Sequence, residues 1–185
     1  MGYVVWTPPG YSSSAKNRYP VIYFLHGMGG TESSDAKGFS EYVSTAVNNS
    51  LLPPVICVFP NGGVSGYRGD VEKMIIEELI STIDSNYCTL VQTQSRVLTG
   101  FSMGGSGSIS LVAMHPDLFC VAGSMGGGLR TNECQLISAG WFHLNLHFFT
   151  LSANIGNERY KHETQYCNCD PLSGIRNFDF TFHSD

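Results

Sequence analysis

The stretch Gly100-Phe101-Ser102-Met103-Gly104-Gly105 decides how this chain is read. Ser95-Arg96-Val97-Leu98-Thr99 comes before it, a short apolar segment that reads as a buried strand. Ser106 to His115 comes after it, small and apolar, and reads as a helix. A serine between glycines on a sharp strand-to-helix turn is a nucleophile elbow. Such a turn strains the serine backbone, so its neighbours must be small, and Gly100 and Gly104 meet that demand. The hydroxyl is then held at the C-terminal edge of a sheet and at the positive end of a helix. The motif alone is weak, because 21 of the 185 residues are Gly. The flanking strand and helix give it meaning.

Outward from the elbow, strand and helix patterns alternate. Gly2 to Thr7 reads as a strand, and Val21-Ile22-Tyr23-Phe24-Leu25 is a continuous apolar run, as expected of a strand buried on both faces. It ends in His26-Gly27-Met28-Gly29-Gly30. Ala36 to Asn49 has helical spacing at Phe39, Val43, Ala46 and Val47, and Pro53-Pro54 stops it. Val55 to Phe59 is another buried strand, closed by Pro60-Asn61-Gly62-Gly63. After a Gly-rich loop carrying Tyr67 and Arg68, Val71 to Ser85 reads as an amphipathic helix with Asp70 as its cap.

Beyond the elbow helix, Phe119 to Gly123 reads as a strand. Phe142 to Leu151 reads as a further strand, Asn154 to Tyr160 as a polar loop and Lys161 to Asp170 as a short helix. Phe178 to Phe182 alternates and reads as a last edge strand. This order predicts one α/β domain over residues 1–185, with a mostly parallel sheet and helices on both faces. Ligands bind such sheets at the C-terminal strand ends. His26, Asn61, Ser102 and Ser124 fall there and can share one crevice.

Composition narrows the function. Hydrophobic residues make up 42% and charged residues 14%, as in an ordinary globular protein. The net charge is −5 without any cluster of Lys or Arg, which argues against nucleic acid as a partner. No apolar run reaches the roughly 18 residues of a membrane span. No signal peptide is visible, so the expectation is an intracellular protein or one whose leader has been removed. Cys57, Cys88, Cys120, Cys134, Cys167 and Cys169 read as mostly free and structural, and their spacing fits no zinc site.

Several motifs stand together in one order. They are His26-Gly27-Met28-Gly29-Gly30, Phe59-Pro60-Asn61-Gly62, Glu77-Glu78-Leu79-Ile80 with Ile83-Asp84, and the elbow followed by His115-Pro116-Asp117-Leu118-Phe119. With Pro8-Pro9-Gly10-Tyr11 and Arg18-Tyr19-Pro20-Val21, this set resembles the esterase family of α/β-hydrolases that holds the feruloyl esterases and esterase D. The resemblance covers roughly residues 3 to 128. It implies an α/β-hydrolase fold and a serine carboxylesterase acting on a small or carbohydrate-linked ester, of feruloyl or acetyl type, with no metal or organic cofactor.

On that resemblance Ser102 is the nucleophile, and the backbone N–H groups of Met28 and Met103 form the oxyanion hole. Gly27, His26 and Asn61 are candidate substrate-binding residues, with His26 shaping the oxyanion loop. Chain order places the acid and then the histidine after the nucleophile. Gly156-Asn157-Glu158-Arg159 stands where the family shows Gly-x-x-Asp, which makes Glu158 the candidate acid. His183, directly after Phe182, is the candidate base; otherwise the base lies beyond Asp185.

The segment after Gly128 is short for the family, so no large lid is expected. The chain also reads as shortened at both ends, which would leave a sheet edge open and favour a homodimer or poor stability. Two further readings stay open: a non-catalytic or truncated relative without a complete triad, and an acyltransferase.

Overall fold

The computed structural model describes residues 1–14, 16–127, 147–151 and 163–165. Among these, seven strands form one sheet in the order β1-β3-β2-β4-β5-β6-β7. They are β1 (Tyr3–Trp6), β2 (Val21–Leu25), β3 (Ile56–Pro60), β4 (Arg96–Phe101), β5 (Val121–Met125), β6 (His147–Leu151) and β7 (Glu163–Gln165). The pairings of β3 with β2, β2 with β4, β4 with β5 and β5 with β6 are parallel, whereas β1 and β7 add to the two sides antiparallel.

Every residue of β2 and β3 is buried. Their side chains divide between two faces, as the period of two requires. Ile22, Phe24, Cys57 and Phe59 meet Val43 and Ala46 of α1 (Ala36–Asn48) on one face. Val21, Tyr23, Leu25, Ile56 and Val58 face the other way. There they meet Ile75, Leu79, Ile80 and Ile83 of a continuous helical run and Ile109, Leu111 and Val112 of α4 (Met103–Met114). The run comprises α2 (Asp70–Lys73), a π-helical stretch (Met74–Leu79) and α3 (Ile80–Asn86).

β2 has β3 on one side and β4 on the other, so the chain changes winding direction between β2 and β4. A crevice opens at the C-terminal strand ends where the order reverses. The register pairs Leu25 with Gly100, the last residue of β2 and the penultimate residue of β4.

Four local expectations are corrected. Asp70 does not cap its helix: Gly69 holds the cap position at φ 60°, and Asp70 is the first helical residue. Its carboxylate still lies at the positive helix end. β5 runs two residues later than the apolar run suggests, so Ser124 lies inside the strand, 1% exposed, and not past its end. Its hydroxyl donates to the Gly127 carbonyl at 3.3 Å, which removes it from the crevice. Residues 163–165 form a strand where a short helix was expected, because pairing with β6 overrides a weak local preference. The elbow helix starts at Met103, immediately after the serine.

Candidate active site

Ser102 follows the last residue of β4 and holds the cap position of α4 at φ 50° and ψ −111°. A non-glycine residue reaches that region only when its surroundings hold it there. Here the restraint comes from both directions. The Ser102 N–H donates to the Met125 carbonyl at 2.8 Å, and the Ser102 carbonyl accepts from Ser106 N–H at 3.0 Å. The first turn of α4 therefore presses on the sheet. A Cβ on Gly100 would lie 2.5 Å from the Leu25 carbonyl oxygen, and one on Gly127 would lie 2.4 Å from the Ser106 nitrogen. Only glycine fits at either place.

Ser102 is half-buried and lines a cleft of about 400 Å³. Met28 comes from the turn after β2, and Val64, Ser65, Gly66 and Arg68 from the loop after β3. Met103 and Ser106 come from the first turn of α4, and Gly126 and Gly127 from the turn after β5. Three of the sequence-derived site residues, Ser102, Met28 and Met103, are thus brought together. The amide of Met103 belongs to the first turn of α4, whose N–H groups have no intrahelical carbonyl. The turn carrying Met28 is closed by Gly30 N–H donating to Gly27 carbonyl at 3.0 Å.

His26, Gly27 and Asn61 are not among the residues lining the cleft. The His26 ring is 2% exposed, and both its nitrogens are engaged by backbone. Gly62 N–H donates to Nε2 at 3.0 Å, so Nε2 is the unprotonated nitrogen, and Nδ1–H donates to the Gly27 carbonyl at 2.8 Å. The tautomer is set by these two partners. Asn61 donates from Nδ2 to Glu32 at 2.5 Å and accepts at Oδ1 from Gly63 N–H at 3.0 Å. Both side chains serve the loops around the cleft. His115 caps the C-terminal end of α4 and pairs through Nε2 with Glu72 at 2.8 Å. Glu158 and His183 lie outside the described residues, as do Cys134, Cys167 and Cys169, the expected strand from Phe178 to Phe182 and the segment after Gly128, for which no large lid was expected.

Sequence reasoning passed over Tyr67, although it noted the Gly-rich loop that carries it. Its ring is fully buried, its backbone stands at φ 59°, and its hydroxyl donates to the His26 carbonyl at 3.1 Å. Burial raises this phenol above its ordinary range, against a smaller lowering from the bond to His26. Ser65 and Ser106 were also passed over; single serines in Gly-rich loops and helix starts carry no sequence signal. Cys57, Cys88 and Cys120 are buried, and burial pushes the Cys57 thiol up to about 12. Among the described residues, no three His, Cys, Asp or Glu side chains converge as a metal site, and no helix is long and apolar enough to cross a membrane.

Crossover at the central strand, a strained serine between β4 and α4, and a cleft over their C-terminal ends define an α/β-hydrolase. Solved structures of that class superpose on the chain. A ferulic acid esterase does so with a TM-score of 0.62 at 27% identity, over 68% of this chain and 52% of that one. The feruloyl esterase module from Clostridium thermocellum complexed with sinapinate reaches 0.69 over 81% of this chain and 61% of that one, and at 19% identity shows the fold alone.

The chain belongs to the family described as "Putative esterase", which matches residues 1–172 and so extends well past the last motif legible in the sequence. It is 30% identical over 143 residues to an endo-1,4-beta-xylanase/feruloyl esterase of Xylanibacter ruminicola, covering 70% of this chain and 20% of that protein. It is 31% identical over 155 residues to an esterase of Mycobacterium tuberculosis, covering 78% of this chain and 33% of that protein. The matched part thus spans a fifth to a third of the length of these two relatives.

Proposed function

We propose that this chain is a serine carboxylesterase that hydrolyses small or carbohydrate-linked esters of the feruloyl or acetyl type through an acyl-enzyme. The observation that carries the reading is Ser102 at φ 50° and ψ −111°, on the cap of α4 and open to a cleft of about 400 Å³. Family membership and the names of the relatives support the ester substrate class.

In this reading Ser102 Oγ attacks the ester carbonyl carbon while an imidazole takes its proton. The developing oxyanion is held by the N–H groups of Met28 and Met103. The intermediate collapses, the C–O bond to the alcohol breaks, and the imidazolium returns the proton to the departing oxygen. Water then repeats the sequence on the acyl-enzyme and releases the acid. His183 as the base and Glu158 as the acid that orients it are proposed from chain order alone.

The test is hydrolysis of p-nitrophenyl acetate and methyl ferulate by the parent and by Ser102→Ala. The reading expects turnover by the parent and at least a 10³-fold loss in the variant, on the order set by removal of a nucleophile. Equal turnover by both would refute Ser102. Absence of any turnover by a folded parent would favour a non-catalytic relative.

A further inference from the structure

We propose that Tyr67 is a positioning residue for the oxyanion loop. Its hydroxyl, through the His26 carbonyl, holds the Gly27–Met28 segment where the Met28 N–H faces an intermediate on Ser102. The inference rests on the esterase reading above and assigns a residue to it that no sequence motif singles out.

The geometry is a reciprocal latch between two loops. The His26 side chain receives the Gly62 N–H of the loop after β3, at 3.0 Å. The Tyr67 side chain of that same loop returns a hydrogen bond to the His26 backbone, at 3.1 Å. The two rings meet edge-on with centroids 5.7 Å apart. Each loop thus lends a side chain to the other's backbone, and neither can move alone.

Tyr67 reaches a third element as well. Its ring lies between Gly62 and Gly107: a Cβ on Gly62 would fall 2.3 Å from Cε1, and one on Gly107 would fall 2.8 Å from Cδ2. Gly107 belongs to α4, the helix that begins at the proposed nucleophile. A single buried ring therefore touches the oxyanion loop, the loop that walls the cleft and the elbow helix. Ser65, Gly66 and Arg68 line the cleft, whereas Tyr67 does not. Its backbone at φ 59° turns the side chain inward while its neighbours face the cleft. Bulky residues adopt that conformation only where the surroundings over-determine it, and such sites gather around function. Burial keeps the phenol protonated across the working range, so the hydroxyl remains a donor.

The test is Tyr67→Phe in the full chain. The ring still fills its site, and only the bond to the His26 carbonyl is lost. A displaced oxyanion donor costs rate more than ground-state affinity. The expected result is a fall in kcat of about tenfold or more with KM within about twofold, and a parallel weakening of a trifluoromethyl ketone inhibitor that mimics the tetrahedral intermediate. Gly107→Ala, which pushes the ring from behind, should lower kcat in the same way, so the proposal is tested even if one variant fails to fold. Thr89→Val removes a buried hydroxyl that donates to Asp84 at 2.7 Å and serves as the control. It should lower the melting temperature without changing kcat. A Tyr67→Phe enzyme with kcat and inhibitor affinity within twofold of the parent overturns the proposal and leaves the esterase reading intact. A parent that hydrolyses neither ester overturns both.

Discussion

Gly104 lies so close to Leu25 that a Cβ on it would sit 1.9 Å from the Leu25 carbonyl oxygen. This contact joins the first turn of α4, which carries the amide of Met103, to the end of β2, whose following turn carries the amide of Met28. Register reinforces it, because Leu25 pairs with Gly100, and Met28 and Met103 each stand three residues beyond these partners. The obstruction is backbone, so no rotamer change relieves it. Gly104→Ala is expected to destabilise the fold by about 1–3 kcal/mol, as overpacking does, and to lower kcat/KM about 10²-fold through misplaced amides. Urea midpoints together with ester kinetics check both, and a variant with parental kcat/KM would contradict the close approach.

His26 is expected to shape the site without acting as the base. His26→Gln leaves the buried Gly62 N–H without its present acceptor, at a cost of about 1–3 kcal/mol. The acid limb of the kcat/KM profile, set by the catalytic imidazole, should stay at the parental pH. A limb that disappears in this variant would make His26 the base.

Arg96 and Asp84 form a buried pair at 2.7 Å, with side chains 7% and 12% exposed. Arg96 opens β4 and Ser102 follows its end, so the pair stands a strand's length from the cleft. Asp84→Ala is expected to cost about 3–5 kcal/mol, because it strands a buried guanidinium, and the double variant with Arg96→Met less than the sum. The parental kcat should survive in whatever fraction remains folded. Denaturation with active-site titration measures both, and additive losses would show that the pair is uncoupled.

Stability should fall on the alkaline side. Burial raises the Tyr23 and Tyr67 hydroxyls and pushes Cys57 up to about 12. Unfolded, these groups lose protons near their ordinary values, about 8.5 for Cys and about 10 for Tyr. Between those values and the folded ones the unfolded state binds fewer protons, so the slope of stability with pH is negative. The contribution is complete below about pH 8 and is lost as pH rises toward 12. Urea midpoints should be lower at pH 10.5 than at pH 8, with a shallower fall in Cys57→Ala. A flat profile would contradict burial of all three.

Much of this architecture was legible because β2 and β3 are buried on both faces. Val21 to Leu25 and Val55 to Phe59 are unbroken apolar runs for that reason, and the elbow glycines are demanded by contacts with Leu25. β5 was harder to read, because packing against α4 and β4 forces small residues into it. A Cβ on Gly123 would lie 2.6 Å from Thr99 Oγ1, and one on Gly105 would lie 2.6 Å from Ser124 Oγ. Strand propensity is sacrificed to that approach, so the reading began and ended two residues early. The π-helical stretch was invisible, since Ile75, Leu79 and Ile83 recur every fourth residue, a spacing compatible with an α or a wider turn. Of the site, Ser102, Met28 and Met103 announced themselves by motif. Tyr67 did not, because its role lies in a hydrogen bond to a carbonyl 41 residues away in the chain.

The measurement that bears most directly on the account is fluorophosphonate labelling of the folded chain, with the adduct mapped by mass spectrometry. The expected result is a single stoichiometric adduct on Ser102, abolished by Ser102→Ala and blocked by prior incubation with an ester substrate. An adduct on another serine, or none on a folded and ester-hydrolysing chain, would contradict Ser102 as the nucleophile.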